Sequence, residues 1–244
     1  MRIIISLDTK EMPLVLPIHY NELLQGAIYA SLDEEIGDFM HDKGFVHQKR
    51  SFKLFTFSRL MGNYRLDSQS GKISFTDSIK IVISSPIKAF CSSILTHMIR
   101  DGRLRLGARL VDVEGVEVIE PTVHQERIRV HTLSPIVVYS TMYRTDGRKY
   151  TCYFQPGEAE FAELISGNLR KKYELVHRSD APAEAFNIRP IGQSRMNLIS
   201  YHGTIVKGYS CRLEISGPQP LLQVAMDAGL GSKNSQGFGC IELY

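Results

Sequence analysis

Two successive sets of predicted elements, each in the order strand, helix, strand, strand, helix, strand, constrain the fold of this chain more than any other feature. Apolar residues that alternate or recur at helical spacing define these elements. In the first set, strands are predicted at 1–8, 51–58, 72–85, 103–107 and 111–119, and helices at 20–32, 34–43 and 87–100. The strand at 51–58 is expected to be continuous, with Lys53 on the same side as Phe55 and Phe57.

The second half of the chain repeats this order. Strands are predicted at 127–140, 149–154, 186–191, 203–215 and 237–243, and helices at 156–173 and 220–228. The order is that of the ferredoxin-like fold (RRM-like, βαββαβ). The sequence therefore predicts an α+β protein made of two tandem ferredoxin-like domains. The charge pattern changes near Pro121, which predicts domains at 1–121 and 122–244.

The composition limits the environment and the chemistry. No run approaches the ~20 apolar residues of a membrane span, and the first residues form a strand pattern rather than a signal peptide. The four cysteines, Cys91, Cys152, Cys211 and Cys240, lie far apart in the sequence. This spacing disfavours a zinc site and a disulfide framework and favours a reducing cytoplasm. We expect no metal, no other cofactor and no membrane partner.

The basic residues are concentrated in one block. The net charge of the chain is only +3, yet residues 43–66 contain six cations and no acidic residue. These cations are Lys43, Lys49, Arg50, Lys53, Arg59 and Arg65. Such a block is typical of a surface that binds a phosphate backbone, and a solvated basic face is the alternative. A second cluster, 170–172, is interpreted as a solvated helix end.

A glycine-rich stretch near the C-terminus, residues 229–239, is the most distinctive local motif. Two Gly-apolar-Gly units, Gly229 to Gly231 and Gly237 to Gly239, flank a polar insert that contains Lys233. Glycines allow positive φ and can expose N–H groups that bind anions. The alternative is a glycine-capped helix followed by a turn into a strand. The motif lacks the ending of a nucleotide-triphosphate loop and follows a helix, so nucleotide hydrolysis is not expected.

Two histidines, His41 and His47, flank the start of the basic block. Cutting RNA without a metal requires a base for the 2′-OH proton, an acid for the leaving 5′-oxygen and a cation for the phosphorane. Histidine titrates near neutral pH and can serve as base or acid, while tyrosine and lysine can stabilise negative charge. Such a mechanism would leave DNA uncut because DNA lacks the 2′-OH.

The chain resembles the CRISPR repeat-processing endoribonucleases of the RAMP superfamily along its whole length. The resemblance rests on the glycine-rich stretch and on four further signatures. These are residues 24–29 (LQGAIY), 39–41 (FMH), 53–58 (KLFTFS) and 132–136 (TLSPI). The family fold is two tandem ferredoxin-like domains, in agreement with the element order.

The resemblance implies a catalytic tyrosine, histidine and lysine, which by position are Tyr29, His41 and Lys53, with His47 as the alternative histidine. It implies metal-independent cleavage of precursor CRISPR RNA within its repeats, giving 5′-hydroxyl and 2′,3′-cyclic phosphate ends. Contacts to the repeat RNA are expected from Gly229, Gly231, Lys233, Gly237, Gly239, Lys49, Arg50 and Arg59. A non-catalytic RNA-binding subunit of an effector complex and a sequence-neutral RNA-binding protein remain alternatives. The sequence is compatible with effector-complex subunits as partners and with a homodimer.

Overall fold

A computed structural model describes all residues, 1–244, of the chain. The first half contains ten strands and three helices. In chain order they are β1 (Arg2–Leu7), β2 (Leu14–Pro17), α1 (Asn21–Ala30), α2 (Glu34–Asp38), β3 (Phe45–His47), β4 (Arg50–Phe52), β5 (Thr56–Phe57), β6 (Tyr64–Asp67), β7 (Lys72–Phe75), β8 (Ile79–Ser84), α3 (Lys88–Asp101), β9 (Arg103–Leu106) and β10 (Arg109–Ile119).

The second half contains six strands and two helices. In chain order they are β11 (Arg127–Thr132), β12 (Tyr139–Tyr143), β13 (Lys149–Tyr153), α4 (Ala159–His177), β14 (Asn187–Tyr201), β15 (Thr204–Ser216), α5 (Gln219–Ala228) and β16 (Ile241–Leu243). The hairpin formed by β12 and β13 is inserted between the first strand and the first helix of this half.

The two halves share the same four-strand arrangement, and the sheet of the first half has one additional edge strand, β9. The strands of the first sheet run in the spatial order β5-β8-β1-β10-β9, and those of the second in the order β14-β15-β11-β16. In each half the first strand therefore lies between the third and the fourth, which is the arrangement of a βαββαβ unit. The predicted fold of two tandem ferredoxin-like units is confirmed.

Each half has its own apolar core between its sheet and its helices. In the first half, Ile3 and Ile5 of β1 pack in one cluster with Ile28 of α1 and Phe90 of α3. In the second half, Val130 of β11, Leu213 of β15, Leu169 of α4 and Ala225 of α5 belong to another cluster. Alternation along the strands places these side chains on the covered face of each sheet.

A buried arginine joins the two halves. Arg2 of β1 is only 1% exposed, and its guanidinium donates to Ser84 Oγ at 3.0 Å and to the Ile241 carbonyl of β16 at 2.6 Å. The N-terminal ammonium of Met1 pairs with Asp227 of α5 at 3.2 Å. Because a buried charge requires partners, these contacts fix how the two halves meet.

The structure differs from the sequence prediction in two places near the basic block. The predicted strand at 51–58 is interrupted, because residues 53–55 belong to no strand and Leu54 has a φ of 51°. The predicted helix at 34–43 changes after Asp38 into a π-helical turn, Phe39–Lys43. Phe39, at the start of this turn, is 39% exposed. No helix in the structure combines the length and the apolar character needed to cross a membrane.

Candidate active site

The π-helical turn Phe39–Lys43 forms the centre of the candidate site. It closes with a hydrogen bond from the Gly44 N–H to the Phe39 carbonyl at 2.6 Å. Gly44 has a φ of 64°, and a Cβ there would lie 2.7 Å from the Phe52 carbonyl oxygen. Only glycine therefore allows the chain to turn sharply from this segment into β3. Single π-helical turns are frequent at functional sites.

Two side chains from other elements hold consecutive carbonyl groups of this turn. The Tyr29 hydroxyl of α1 donates to the Met40 carbonyl at 3.4 Å, and Lys53 Nζ donates to the His41 carbonyl at 2.8 Å. The rings of Tyr29 and His41 meet edge to face with centroids 6.0 Å apart. The structure thus brings Tyr29, His41 and Lys53 together. The break at Leu54, rather than a strand, directs Lys53 toward the turn.

Asp42 fixes the hydrogen-bonding state of His41. Its carboxylate lies 2.7 Å from His41 Nδ1, and an ionised carboxylate only accepts hydrogen bonds. In the neutral ring the proton is therefore on Nδ1, and Nε2 carries the free lone pair. The His41 side chain is 77% exposed, so Nε2 can be reached by a large substrate. This arrangement suits a general base.

Burial shifts the pKa of the other two groups. Burial, reinforced by the nearby Tyr201, raises the pKa of Tyr29 to about 12. Tyr29 is therefore a hydrogen-bond donor at neutral pH and not a base. Burial lowers the pKa of Lys53, and the Asp42 carboxylate opposes this shift. One N–H of the Lys53 ammonium is used by the His41 carbonyl, which leaves two donors for an anionic ligand.

His47 lies apart from this cluster. Its Nε2 is 2.7 Å from a carboxylate oxygen of Glu174 on α4, and its side chain is 18% exposed. His47 therefore joins β3 to the second half of the chain. Of the two histidines near the basic block, His41 is the one beside Tyr29 and Lys53.

A cationic cleft of about 660 Å³ opens beside Lys53 between the two halves. Its 19 lining residues include Arg50, Lys53, Lys172 and Lys233 and no carboxylate. A larger cavity of about 770 Å³ is lined in part by Glu126 and Glu184. Because carboxylates repel a polyanion, the smaller cleft is the better site for a phosphate backbone.

The glycine-rich stretch borders this cleft, but its glycines are required mainly for packing. A Cβ at Gly231 would lie 2.5 Å from the Val137 carbonyl oxygen, and one at Gly237 would lie 2.6 Å from the Phe57 ring. The N–H groups of Gly229, Gly237 and Gly239 are donated to Ala225, Asn234 and Pro135 carbonyls. The prediction that these three glycines expose N–H groups to phosphate is therefore wrong. The partly exposed residues of the stretch are Ser232, Lys233, Ser235 and Gln236.

The Lys172 side chain of α4 supports the glycine-rich stretch through hydrogen bonds. It was predicted to lie at a solvated helix end, but it is 2% exposed. Its Nζ donates to the Gly229 carbonyl and to Asn234 Oδ1, both at 2.7 Å, with longer contacts to the carbonyls of Ala228 and Gly231. The prediction of a solvated residue is wrong because α4 packs along the stretch. Burial lowers the pKa of Lys172 to about 7.

One face of α1 connects the glycine-rich stretch to the candidate active site. Asn21 Nδ2 donates to the Gln236 carbonyl at 2.9 Å, and Gln25 Nε2 donates to the Ser235 carbonyl at 2.7 Å. Tyr29 follows on the same face at the next four-residue step. The helix that positions Tyr29 is therefore fastened to the second half through the glycine-rich stretch.

The remaining residues predicted to contact RNA differ in how far their side chains are exposed. Lys49 and Arg50 are exposed at the turn between β3 and β4, and Arg50 lines the cleft. Arg59 is half-buried, with its guanidinium 5.3 Å from the centre of the Tyr20 ring. Lys233 lines the cleft, where its Nζ is 5.6 Å from the centre of the Tyr139 ring. Burial lowers the pKa of Lys233.

Comparison with known families identifies the chain. The family described as "CRISPR associated protein Cas6, C-terminal" matches residues 118–243, and "CRISPR-associated protein Cas6, N-terminal" matches residues 15–117. The chain belongs to the Cas6 family. The two matches adjoin near the end of β10, and the N-terminal match begins after β1.

Individual Cas6 proteins are similar along their whole length. A protein of Methanocaldococcus jannaschii named CRISPR-associated endoribonuclease Cas6 1 is 27% identical, covering 99% of this chain and 92% of its own. The Pyrococcus furiosus protein named CRISPR-associated endoribonuclease Cas6 is 24% identical, covering 100% of this chain and 90% of its own. A solved structure of a Cas6-related protein from Pyrococcus furiosus has a TM-score of 0.84 at 21% identity, covering 100% and 98% of the two chains.

Sequence reasoning missed three contributors to this Cas6 site. Asp42 is adjacent to His41, so its proximity in sequence was an available signal. Lys172 and Asn234 gave none, because their contact spans 62 positions in the chain. A contact between residues this far apart in the sequence can be recognised only in the folded structure, where α4 packs against the glycine-rich stretch.

Proposed function

We propose that this chain is an endoribonuclease that binds CRISPR repeat RNA and cuts the precursor transcript within its repeats. The observation that carries the proposal is the meeting of Tyr29, His41 and Lys53, because Lys53 also lines a cleft whose lining contains cations and no carboxylate. Membership of the Cas6 family supports it, as do relatives named as CRISPR-associated endoribonucleases.

The proposed reaction is an attack by the RNA on its own backbone. His41 Nε2 takes the proton of the 2′-OH, and the 2′-oxygen forms a bond to the adjacent phosphorus. The bond from phosphorus to the 5′-oxygen breaks, that oxygen takes a proton from water, and the protonated His41 returns its proton to water. The products are a 2′,3′-cyclic phosphate and a 5′-hydroxyl. General-base assistance of this kind contributes about 10²–10⁴-fold to a rate.

Lys53 and Tyr29 stabilise the negative charge that develops on the phosphorane. Lys53 supplies the N–H donors that the His41 carbonyl does not use. The Tyr29 hydroxyl remains protonated because its pKa is about 12, and its 3.4 Å contact to the Met40 carbonyl is long enough to be exchanged for a phosphate oxygen. Preorganised donors of this type are worth about 10²–10³-fold each. We propose that the reaction needs no metal ion.

The two halves have different proposed tasks. Residues 1–121 carry the cutting residues, together with Lys49, Arg50 and Arg59 as phosphate contacts. Residues 122–244 contribute the glycine-rich stretch, in which Lys233 is the charged contact. Gly229, Gly237 and Gly239 are proposed to shape this surface rather than to bind phosphate through their N–H groups, and Gly231 remains a proposed RNA contact. Effector-complex subunits and a second copy of the chain are further proposed partners.

The chemistry of the product ends tests the proposal. We expect purified protein to convert the repeat RNA into fragments with 5′-hydroxyl and 2′,3′-cyclic phosphate ends. A repeat carrying one 2′-deoxy nucleotide on the 5′ side of the cut should bind with unchanged affinity and remain intact. Cutting of the deoxy repeat would refute the 2′-OH mechanism. Tight binding with no cutting of either RNA would instead indicate a non-catalytic subunit.

A further inference from the structure

The hairpin formed by β12 and β13 packs against the second half of the chain only at its base, where Tyr139 and Tyr153 contact a small apolar cluster. Its two strands form a sheet of their own, and residues 141–151 are exposed on both faces. Tyr143 is 66% exposed, and Tyr150 and Met142 are 39% and 37% exposed. A two-stranded ribbon alone is marginally stable in water. We name residues 139–153 the tyrosine hairpin.

Cations lie over the tyrosine rings of this hairpin. Lys149 Nζ is 5.7 Å from the centre of the Tyr143 ring, and the Arg144 guanidinium is 5.9 Å from that of Tyr150. Together with Lys233 over Tyr139, three of the five such pairs in the chain involve this hairpin. Pairs of this kind normally occur about once per 70–80 residues. Exposed rings beside cations are the elements that bind unpaired nucleotides, by stacking and by phosphate attraction.

One face of the tyrosine hairpin continues the surface of the cationic cleft. Tyr139, Ser140 and Thr141 line that cleft, and Tyr143 lies on the same face as Tyr139 and Thr141 because side chains alternate along a strand. Opposite them on β13 lie Tyr153, Thr151 and Lys149. The charged side chains at the tip, Arg144, Arg148 and Lys149 against Asp146, leave a net positive charge.

We propose that the tyrosine hairpin binds an unpaired stretch of the RNA where it leaves the cleft, with bases stacked on Tyr139 and Tyr143. This inference rests on the proposed function and extends it by naming a second contact surface and the form of RNA that it takes. Four residues of strand separate the two rings by about 13 Å, several times the ~3.4 Å rise per nucleotide of a duplex strand. The bases of a duplex already stack on their neighbours, so their faces are not free to stack on a tyrosine ring. The spacing therefore favours a single strand whose bases are spread apart.

Affinity measurements on single-stranded and paired RNA test this proposal. The probes are an unstructured oligouridine, the same strand annealed to oligoadenine, and the repeat RNA with a 2′-deoxy block at the cut. We expect Tyr143→Ala to weaken binding of oligouridine by about 5- to 100-fold and to change duplex binding by less than twofold. Tyr143→Phe should retain wild-type affinity because it keeps the stacking surface. Because oligouridine binding does not depend on cutting, a failure of the proposed function does not affect this test.

A matched control is Tyr64→Ala, which removes another highly exposed tyrosine, 62% exposed on β6 of the first half. It should leave both affinities within twofold of wild type. Equal losses for Tyr64→Ala and Tyr143→Ala, or for single-stranded and duplex RNA, would overturn the proposal. Unchanged oligouridine binding by Tyr143→Ala would also overturn the proposal. It would indicate that the exposed tyrosine rings contact a protein partner instead of RNA. Because Tyr143 is mostly exposed, circular dichroism should show each variant folded.

Discussion

Replacing Lys172 by methionine should change how the stability of the protein depends on pH. The buried ammonium has a pKa of about 7 in the folded chain and 10.5 as its ordinary value. Between these two values the unfolded chain holds a proton on Lys172 that the folded chain has released. The free energy of unfolding therefore rises with pH in this window. Below about pH 7 both states are protonated, and the folded state bears the full cost of burying the charge.

The size of the effect follows from proton linkage. One proton released per folded chain corresponds to about 1.4 kcal/mol per pH unit. With the two pKa values of Lys172, the rise between pH 7.5 and pH 8.5 is about 1 kcal/mol from this side chain. The cysteines oppose it, because burial raises the pKa of Cys91 to about 11 and those of Cys211 and Cys240 to about 12. Their contribution is the same in wild type and variant, so it cancels in the difference.

Urea unfolding followed by circular dichroism at pH 7.5 and pH 8.5 measures this difference. We expect the rise in stability to be about 1 kcal/mol smaller in Lys172→Met than in wild type. Lys171→Met is the control, since it makes the same change at the adjacent residue, which is more exposed, and should leave the rise unchanged. Equal rises in wild type and Lys172→Met would refute the reasoning. Equal changes in the pH dependence of stability for Lys172→Met and Lys171→Met would refute it as well.

Four further substitutions test the candidate site and the packing that supports it. Tyr29→Phe removes only a hydroxyl and keeps the contact with the Phe55 ring, so single-turnover cleavage should slow by about 10²–10³-fold with little change in melting temperature. An unchanged rate would show that the Tyr29 hydroxyl has no part in the mechanism. Lys53→Ala should slow cleavage by about 10²–10³-fold in the same assay, and a loss confined to binding would contradict its role. Gly231→Ala should destabilise the fold by at least about 2 kcal/mol, because its Cβ would meet the Val137 carbonyl oxygen at 2.5 Å and a φ of 69°. Gly26→Ala, in the exposed interior of α1 with no atom within 4 Å, should instead stabilise by up to about 1 kcal/mol in urea unfolding.

The fold was predictable because its core elements are local patterns of apolar residues. Strand β1 alternates fully buried Ile3, Ile5 and Leu7 with more exposed positions, and α1 buries Leu24 and Ile28 at helical spacing. Each pattern is complete within one element, so the order βαββαβ could be read twice from the sequence. The break at Leu54 could not, because aromatic and β-branched neighbours favour a strand there and packing overrides that preference.

The candidate site was predictable only in part. The resemblance supplied Tyr29, His41 and Lys53, and the structure explains how residues far apart in the sequence meet, since two of them bind consecutive carbonyl groups of one π-helical turn. The turn itself has no sequence signal. The pairing of His47 with Glu174 spans 127 positions, so the sequence favoured His41 through the resemblance but could not exclude His47. Long-range contacts of this kind depend on the packing of both halves.

Mapping the products of His41→Ala and His47→Ala in excess chelator tests the central claim most directly. We expect wild type and His47→Ala to cut the repeat RNA without a metal ion and to leave 5′-hydroxyl and 2′,3′-cyclic phosphate ends. His41→Ala should bind the repeat within a few-fold of wild-type affinity and leave it uncut. Cutting by His41→Ala together with loss of cutting by His47→Ala would contradict the assignment of the base. A requirement for magnesium in the wild-type protein would contradict the mechanism itself.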